Sequence, residues 1–291
     1  MEQERKLAVL IDAENIASKY VAVILNEANS LGNVIYKRIY GNWTNPQMSA
    51  WRNVILDNCI QPIQQYSNVS GKNSTDSSLI IDAMDLLYSA SLDGFCIVSS
   101  DSDFTRLAAR LRESEKYVVG MGEQKTPRSF ISACNKFSYL DILYAADNAE
   151  EAPAAEKPAA SEPEKAKTGK AEPSRPAEQK PARAEEKPAV PAAESTGSDL
   201  NRIKQAIMAL AEENSDDDGW IFSSTLKNLL DRMYPDFDVR NFGYKKFVPF
   251  IASLDIFDVE KMPAPGREGI QLVYFRLKPR KAANAERRGR K

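Results

Sequence analysis

Leu7-Ala8-Val9-Leu10-Ile11-Asp12-Ala13-Glu14-Asn15 and Phe95-Cys96-Ile97-Val98-Ser99-Ser100-Asp101-Ser102-Asp103 decide how this chain is read. Each begins as an uninterrupted apolar run, the pattern of a strand buried on both faces. Each then turns abruptly acidic. Carboxylates gathered at strand ends repel one another: at an effective dielectric near 20, two unit charges about 4 Å apart cost roughly 4 kcal/mol. A fold that gathers several of them needs a cation there. The chain has no histidine among its 291 residues. That excludes Ser-His-Asp triads, Cys-His pairs, histidine zinc sites and histidine general bases. Carboxylate chemistry remains, and aspartates pair naturally with hard Mg²⁺ or Mn²⁺.

Outward from these two stretches, apolar runs alternate with helical patterns. Strands are expected at Leu7–Ile11, Val34–Tyr40, Cys59–Tyr66, Phe95–Ser99 and Tyr117–Met121, with a last short one near Tyr139–Leu143. Helices are expected at Ile16–Ser30, Pro46–Asn58, Asp76–Ala90, Asp103–Ser114 and Arg128–Asn135. Such alternation predicts an α/β fold with a mostly parallel sheet covered by helices on both faces. Ligands of such sheets bind beyond the carboxyl ends of the strands, near the switch in strand order. Both acidic stretches fall there. In the helix after Thr75, the buried face is set by Leu79, Ile80, Ala83 and Leu87. Asp76 falls in the middle of that face, one turn earlier, so its carboxylate turns toward the sheet. Asp12, Asp76, Asp101 and Asp103 can therefore converge from three segments. A blander reading makes Asp101, Ser102 or Asp103 a helix cap and Asp76 a first-turn residue favoured by the helix dipole. Capping explains neither Asp12 at a strand end nor Asp76 on an apolar face.

Composition divides the chain. From about 148 to 198 it is almost entirely Ala, Pro, Glu, Lys, Ser and Arg with no aromatic residue, which predicts a disordered linker. A flexible segment of that length spans on the order of 40 Å, so the flanking domains, 1–147 and 199–280, are expected to be tethered rather than docked. In the second, Leu200, Ile203, Ile207 and Leu210, then Leu226, Leu229, Leu230 and Met233, then Phe247, Phe250, Ile251 and Leu254 have helical spacing. Two strand-like runs follow, Ile256–Glu260 and Ile270–Leu277. Three helices and a hairpin predict a small winged helix, its third helix kinked or shortened by Pro249. The formal charge of the whole chain is −2, but residues 281–291 form a basic tail that fits weak phosphate contact or a solvated terminus. Cys59, Cys96 and Cys134 lack metal-ligand spacing and read as reduced core thiols. With no signal peptide or membrane-length apolar run, a cytoplasmic protein without membrane contact is expected.

Three motifs in order resemble a known family. Val9-Leu10-Ile11-Asp12-Ala13-Glu14-Asn15, Lys72-Asn73-Ser74-Thr75-Asp76 leading into Ile81-Asp82-Ala83, and Val98-Ser99-Ser100-Asp101-Ser102-Asp103-Phe104 are similar to the NYN domain, a PIN-like nuclease domain, in its bacterial branch. The resemblance covers about Lys6 to Leu143. It implies a Rossmann-like, PIN-type sheet and a Mg²⁺- or Mn²⁺-dependent ribonuclease. The family's metal positions carry over to Asp12, Asp76, Asp101 and Asp103, and Asn15 matches its polar partner after the first strand. The Tyr40-Gly41-Asn42-Trp43 turn resembles a family loop, with Asn42 where an Asp is common. Lys72 reads as a phosphate contact or a solvated lysine, and Trp43 and Tyr66 as base-stacking or packing residues. In the second domain, Asp236-Phe237-Asp238-Val239-Arg240-Asn241-Phe242-Gly243-Tyr244-Lys245-Lys246-Phe247 resembles the OST-HTH, or LOTUS, domain. That implies a winged helix binding RNA or, in some relatives, a protein partner, with Arg240, Lys245 and Lys246 available to phosphates. Two other readings stand beside the ribonuclease: a non-catalytic RNA-binding adaptor on the same fold, and a Mg²⁺-dependent small-molecule phosphatase. The phosphatase wants an acid/base Asp two residues after its nucleophile, where this chain has Glu14.

Overall fold

The computed structural model describes residues 4–65, 74–151, 195–264 and 271–278. The described residues of the first unit form a six-stranded, wholly parallel sheet. Its strands are β1 (Lys6–Asp12), β2 (Asn33–Gly41), β3 (Gln61–Gln64), β4 (Gly94–Val98), β5 (Tyr117–Gly122) and β6 (Lys136–Tyr139). The spatial order is β3-β2-β1-β4-β5-β6. The order reverses between β1 and β4, so their carboxyl ends flank the switch point. The connecting helices are α1 (Val21–Leu31), α2 (Trp51–Asp57), α3 (Ser74–Ser89), α4 (Thr105–Glu113), α5 (Arg128–Ala133) and α6 (Leu140–Glu151).

The apolar run of β1 serves two cores at once. Leu7, Val9 and Ile11 face α1, α2 and α6, packing with Ile24, Trp51 and Leu140. Ala8 and Leu10 face the other layer, with Leu79, Phe104, Leu111 and Phe130. Every residue of β1 from Leu7 to Asp12 is fully buried. Truncating such a position, Ile11→Ala for example, costs about 2–5 kcal/mol.

The last strand departs from expectation. Lys136–Tyr139 forms β6, and Leu140 onward is helix, because Leu140, Leu143 and Tyr144 have the i, i+3, i+4 spacing of a helix face. Lys136 and Ser138 make β6 look polar in sequence, yet both donate hydrogen bonds to the buried Glu27 of α1. Cys59 is not a core thiol. It is exposed, in the turn after α2, with a left-handed φ of 50°. Cys96 and Cys134 are buried, and burial pushes both thiols up to about 12.

The second unit comprises α7 (Ser195–Asn214), β7 (Trp220–Phe222), α8 (Ser223–Met233), α9 (Phe247–Ser253), β8 (Phe257–Pro263) and β9 (Gln271–Leu277). Its strands form an antiparallel sheet in the order β7-β9-β8, around a core that includes Ile207, Leu230, Phe250 and Phe275. Three-residue β7 is too short to show alternation in sequence. Pro249 lies in the first turn of α9, where its missing N–H is no loss. The helix therefore starts at Phe247, and Lys245 and Lys246 precede it rather than ride on it. Among the described residues no helix is long and apolar enough to cross a membrane.

The two units dock, contrary to the tethered arrangement expected. The amide of Phe137 on β6 donates to Pro235 O (2.7 Å), and Arg128 Nη1 and the Tyr139 hydroxyl both donate to Asp236 Oδ2 (2.6 and 3.0 Å). Most of the interface charge gathers on Glu27. Arg240 donates to both its oxygens (2.9 and 3.0 Å), beside Lys136 Nζ (2.7 Å) and Ser138 Oγ (2.9 Å). Asp238 accepts from the same guanidinium, so two carboxylates balance two cations. Burial alone would raise the Glu27 carboxyl; the bonds from Arg240 and Lys136 outweigh it and hold the group at about 2. A depressed carboxylate stabilises the protein above its unfolded value and loses that contribution as pH falls. Docking should therefore weaken as pH drops from about 4.5 toward 2. At neutral pH, Glu27→Ala should cost about 3 kcal/mol, the lower end for breaking a buried pair because Arg240 is a third exposed. Calorimetry should show one unfolding transition for the wild type and two for Glu27→Ala.

Candidate active site

Asp12 closes β1 with no solvent exposure. A buried carboxylate needs donors, and four reach it. Oδ1 accepts from the amides of Glu14 (3.1 Å) and Asn15 (3.3 Å). Oδ2 accepts from Asn15 Nδ2 (2.7 Å) and Ser99 Oγ (2.8 Å). Ser99, just beyond β4, in turn accepts the Asp101 amide on its hydroxyl (3.1 Å). One serine thus links both acidic stretches. Burial raises the Asp12 pKa against the pull of these hydrogen bonds.

Asp101 begins the 3-10 turn Ser102–Phe104, and its Oδ1 accepts the Asp103 amide (2.9 Å). The capping role and convergence on Asp76 coexist, since capping engages only one of the two oxygens. Asp76 is half-buried in the first turn of α3. Thr75 Oγ1 fixes that turn by donating to Glu14 Oε1 (2.9 Å), tying α3 to the loop after β1. Asp76, Asp101 and Asp103 each present a carboxylate oxygen within 4.8 Å of the others. Ligands on a Mg²⁺ sphere of 2.0–2.1 Å radius lie about 3 to 4.2 Å apart, so a small side-chain rotation suffices to share one ion. The donor set is all oxygen and anionic, which fits Mg²⁺ or Mn²⁺. Burial first, then the charges of Asp12, Asp101, Asp103 and Glu14, raise the Asp76 carboxyl to about 6.

Gly122 ends β5 beside this loop. A Cβ there would lie 2.6 Å from both Ser99 O and Thr126 Oγ1, so only glycine permits the close approach. The next amide, Glu123 N, donates to Ser100 Oγ (2.9 Å) and fixes the residue before Asp101.

Asp12 lies outside the tight trio but within electrostatic reach of Asp76. Asn15 is exposed with its amide group donating to Asp12, so it orients that carboxylate. Asn42 Oδ1 accepts from Thr44 and Gln64, which makes the turn a structural one. Trp43 Nε1 donates to Ile63 O, and its ring packs against the core. Lys72 and Tyr66 lie outside the described residues. Lys245 and Lys246 are exposed. Arg240 needs a correction: its guanidinium is engaged by Glu27 and Asp238 in docking, so it is not the open phosphate contact expected. Sequence reasoning missed Ser99 and Thr75, whose importance comes from partners 87 and 61 residues away.

Residues 6–141 match the NYN domain family, and residues 198–267 match the OST-HTH/LOTUS domain family. The chain carries an NYN domain followed by an OST-HTH/LOTUS domain. No curated protein matches it. Among solved structures, it is similar to a protein of unknown function from Vibrio parahaemolyticus RIMD 2210633. That likeness has 18% identity and a TM-score of 0.40, covering 48% of this chain and 94% of the other. The NYN match favours the nuclease reading over the phosphatase one.

The repulsion in the NYN domain site has a sign that can be measured. The folded protein holds the Asp76 proton up to about pH 6, whereas the unfolded chain releases it near the ordinary value of 3.8. In that window the folded state binds more protons, so metal-free stability falls as pH rises. Asp76→Asn should flatten this slope, leaving the share from the raised Asp12, and raise the metal-free Tm at pH 7. Added Mn²⁺ should then stabilise the wild type more than the variant.

Proposed function

We propose that this protein is a divalent-metal-dependent ribonuclease that hydrolyses RNA phosphodiester bonds in its NYN domain and captures RNA with its OST-HTH/LOTUS domain. The observation that carries the reading is the meeting of Asp76, Asp101 and Asp103 at the switch point, with the buried Asp12 behind them. NYN domains are typically nucleases, and OST-HTH/LOTUS domains bind RNA. Asp76, Asp101 and Asp103 would hold Mg²⁺ or Mn²⁺, with Asp12 as the further acidic group. When bound, such an ion neutralises phosphate oxygens and lowers the pKa of water. The protein's own part is positional. Ser99 and Asn15 lock Asp12, Ser99 aligns Asp101, and Thr75 holds Asp76 at the edge. Lys245 and Lys246 stand exposed for phosphates, while Arg240 acts through docking. Three free thiols, two of them buried, fit a reducing compartment, and cytoplasmic action is part of the proposal.

Asp101→Asn removes a ligand charge and nearly preserves shape. Its cleavage of single-stranded RNA in Mg²⁺ or Mn²⁺ should fall at least about 100-fold, the loss typical of deleting one preorganised electrostatic group. RNA binding should be kept or improved, since phosphate repulsion is reduced. Cleavage at the wild-type rate would defeat the proposal. Wild-type protein that binds RNA with either metal and leaves it intact would make the chain an RNA-binding adaptor. Replacing Lys245 and Lys246 together by Ala should weaken binding and lower the salt slope by about 0.7 for each phosphate left without its cation. Cleavage at saturating RNA should stay unchanged.

A further inference from the structure

Docking creates a cleft of about 400 Å³ walled by both domains. We propose that this cleft binds an unpaired stretch of the RNA strand and leads it to the acidic site; the direction of the strand rests on the nuclease reading above. The first reason is position. Gln124 lies at the cleft, one residue beyond Glu123, whose amide donates to Ser100; Asp101 is the residue after Ser100. A single 2.9 Å hydrogen bond therefore joins the loop at the cleft to the loop bearing Asp101 and Asp103.

The second reason is chemistry. A phosphodiester strand approaching four carboxylates needs a cation beside them, and Arg202 lines the cleft from the second domain, facing a wall where Arg128 is paired with Asp236 (2.6 Å). Asp236 also lines it, but accepts from Arg128 and from the Tyr139 hydroxyl, so its charge is balanced at the wall. Arg202 lies over the Tyr234 ring, 5.1 Å from its centroid. A contact of this kind does not consume the N–H donors of a guanidinium, which can still bond a phosphate. Bases stack on arginine planes and on aromatic faces. The Gln124 side chain adds a carboxamide with both donors and acceptors for a base edge. An exposed arginine, tyrosines and a carboxamide beside an acidic centre suit a single-stranded polyanion with flat, hydrogen-bonding bases. They do not suit a cationic peptide, which Arg202 would repel. Docking by Glu27 and Arg240 then gains a purpose, because the cleft exists only while the domains touch.

The test uses the full chain in EDTA, so that no cleavage occurs, with single-stranded RNA carrying 5-bromouridine. Gln124 and Arg202 are both exposed, so their replacement leaves the fold intact. Arg202→Ala should raise the Kd roughly tenfold and lower the salt slope by about 0.7. Ultraviolet cross-linking should place adducts on the peptides holding Tyr139 or Tyr234. Unchanged affinity in the Gln124→Ala, Arg202→Ala double variant, with adducts only outside the cleft, would overturn the inference. Because metal is absent, this readout is separate from cleavage by Asp101→Asn. Loss of the nuclease reading would leave cleft binding measurable, and loss of cleft binding would leave the nuclease reading standing.

Discussion

A carboxylate with no access to water is the constraint on which the carboxyl edge depends. Asp12 cannot be charged at the end of a buried strand unless donors surround it. The chain turns sharply after β1, so that two backbone amides and the Asn15 side chain fold back onto it. The neighbouring strand must end in a hydroxyl residue at the matching height, and Ser99 supplies it. From Ser99 the order passes to Asp101, and from Glu14 through Thr75 to Asp76. The acidic trio is thus held by a network whose root is one buried oxygen pair.

The same physics recurs at the domain interface with opposite sign. Glu27 is almost as buried as Asp12, but two cations join the neutral Ser138 hydroxyl in satisfying it. Its carboxyl is therefore held far down, while Asp12 and Asp76 are raised. At the interface Arg240 and Lys136 neutralise the charge of Glu27, whereas at the carboxyl edge neighbouring carboxylates raise Asp76. That contrast is what separates a structural carboxylate from one poised for a cation.

Much of this was legible in the residues, for identifiable reasons. The apolar runs of β1 and β4 announce strands buried on both faces, and the periodicity of α3 aims Asp76 at the sheet. β6 was hidden because Lys136 and Ser138 read as surface residues until Glu27 is placed beside them. Docking left no local trace, since Arg240 and Glu27 are 213 residues apart. Arg240 in consequence looked like a phosphate ligand. Lys245 and Lys246 precede α9, whose first turn holds Pro249. Local patterns reveal elements and which way their faces turn; partners across a long separation appear only once the chain is folded.

The bond from Phe137 to Pro235 bears on how the chain survives its own synthesis. A sheet offers two open margins to other chains. At one, β3 is four residues long and carries Pro62, which has no N–H to offer. At the other, β6 has an amide whose partner lies 98 positions later, counted from 137 to 235. At a ribosomal speed of about 5–20 residues per second, that margin stands uncovered for roughly 5–20 s. The winged helix is in this sense a late-arriving guard against self-association for a sheet already made.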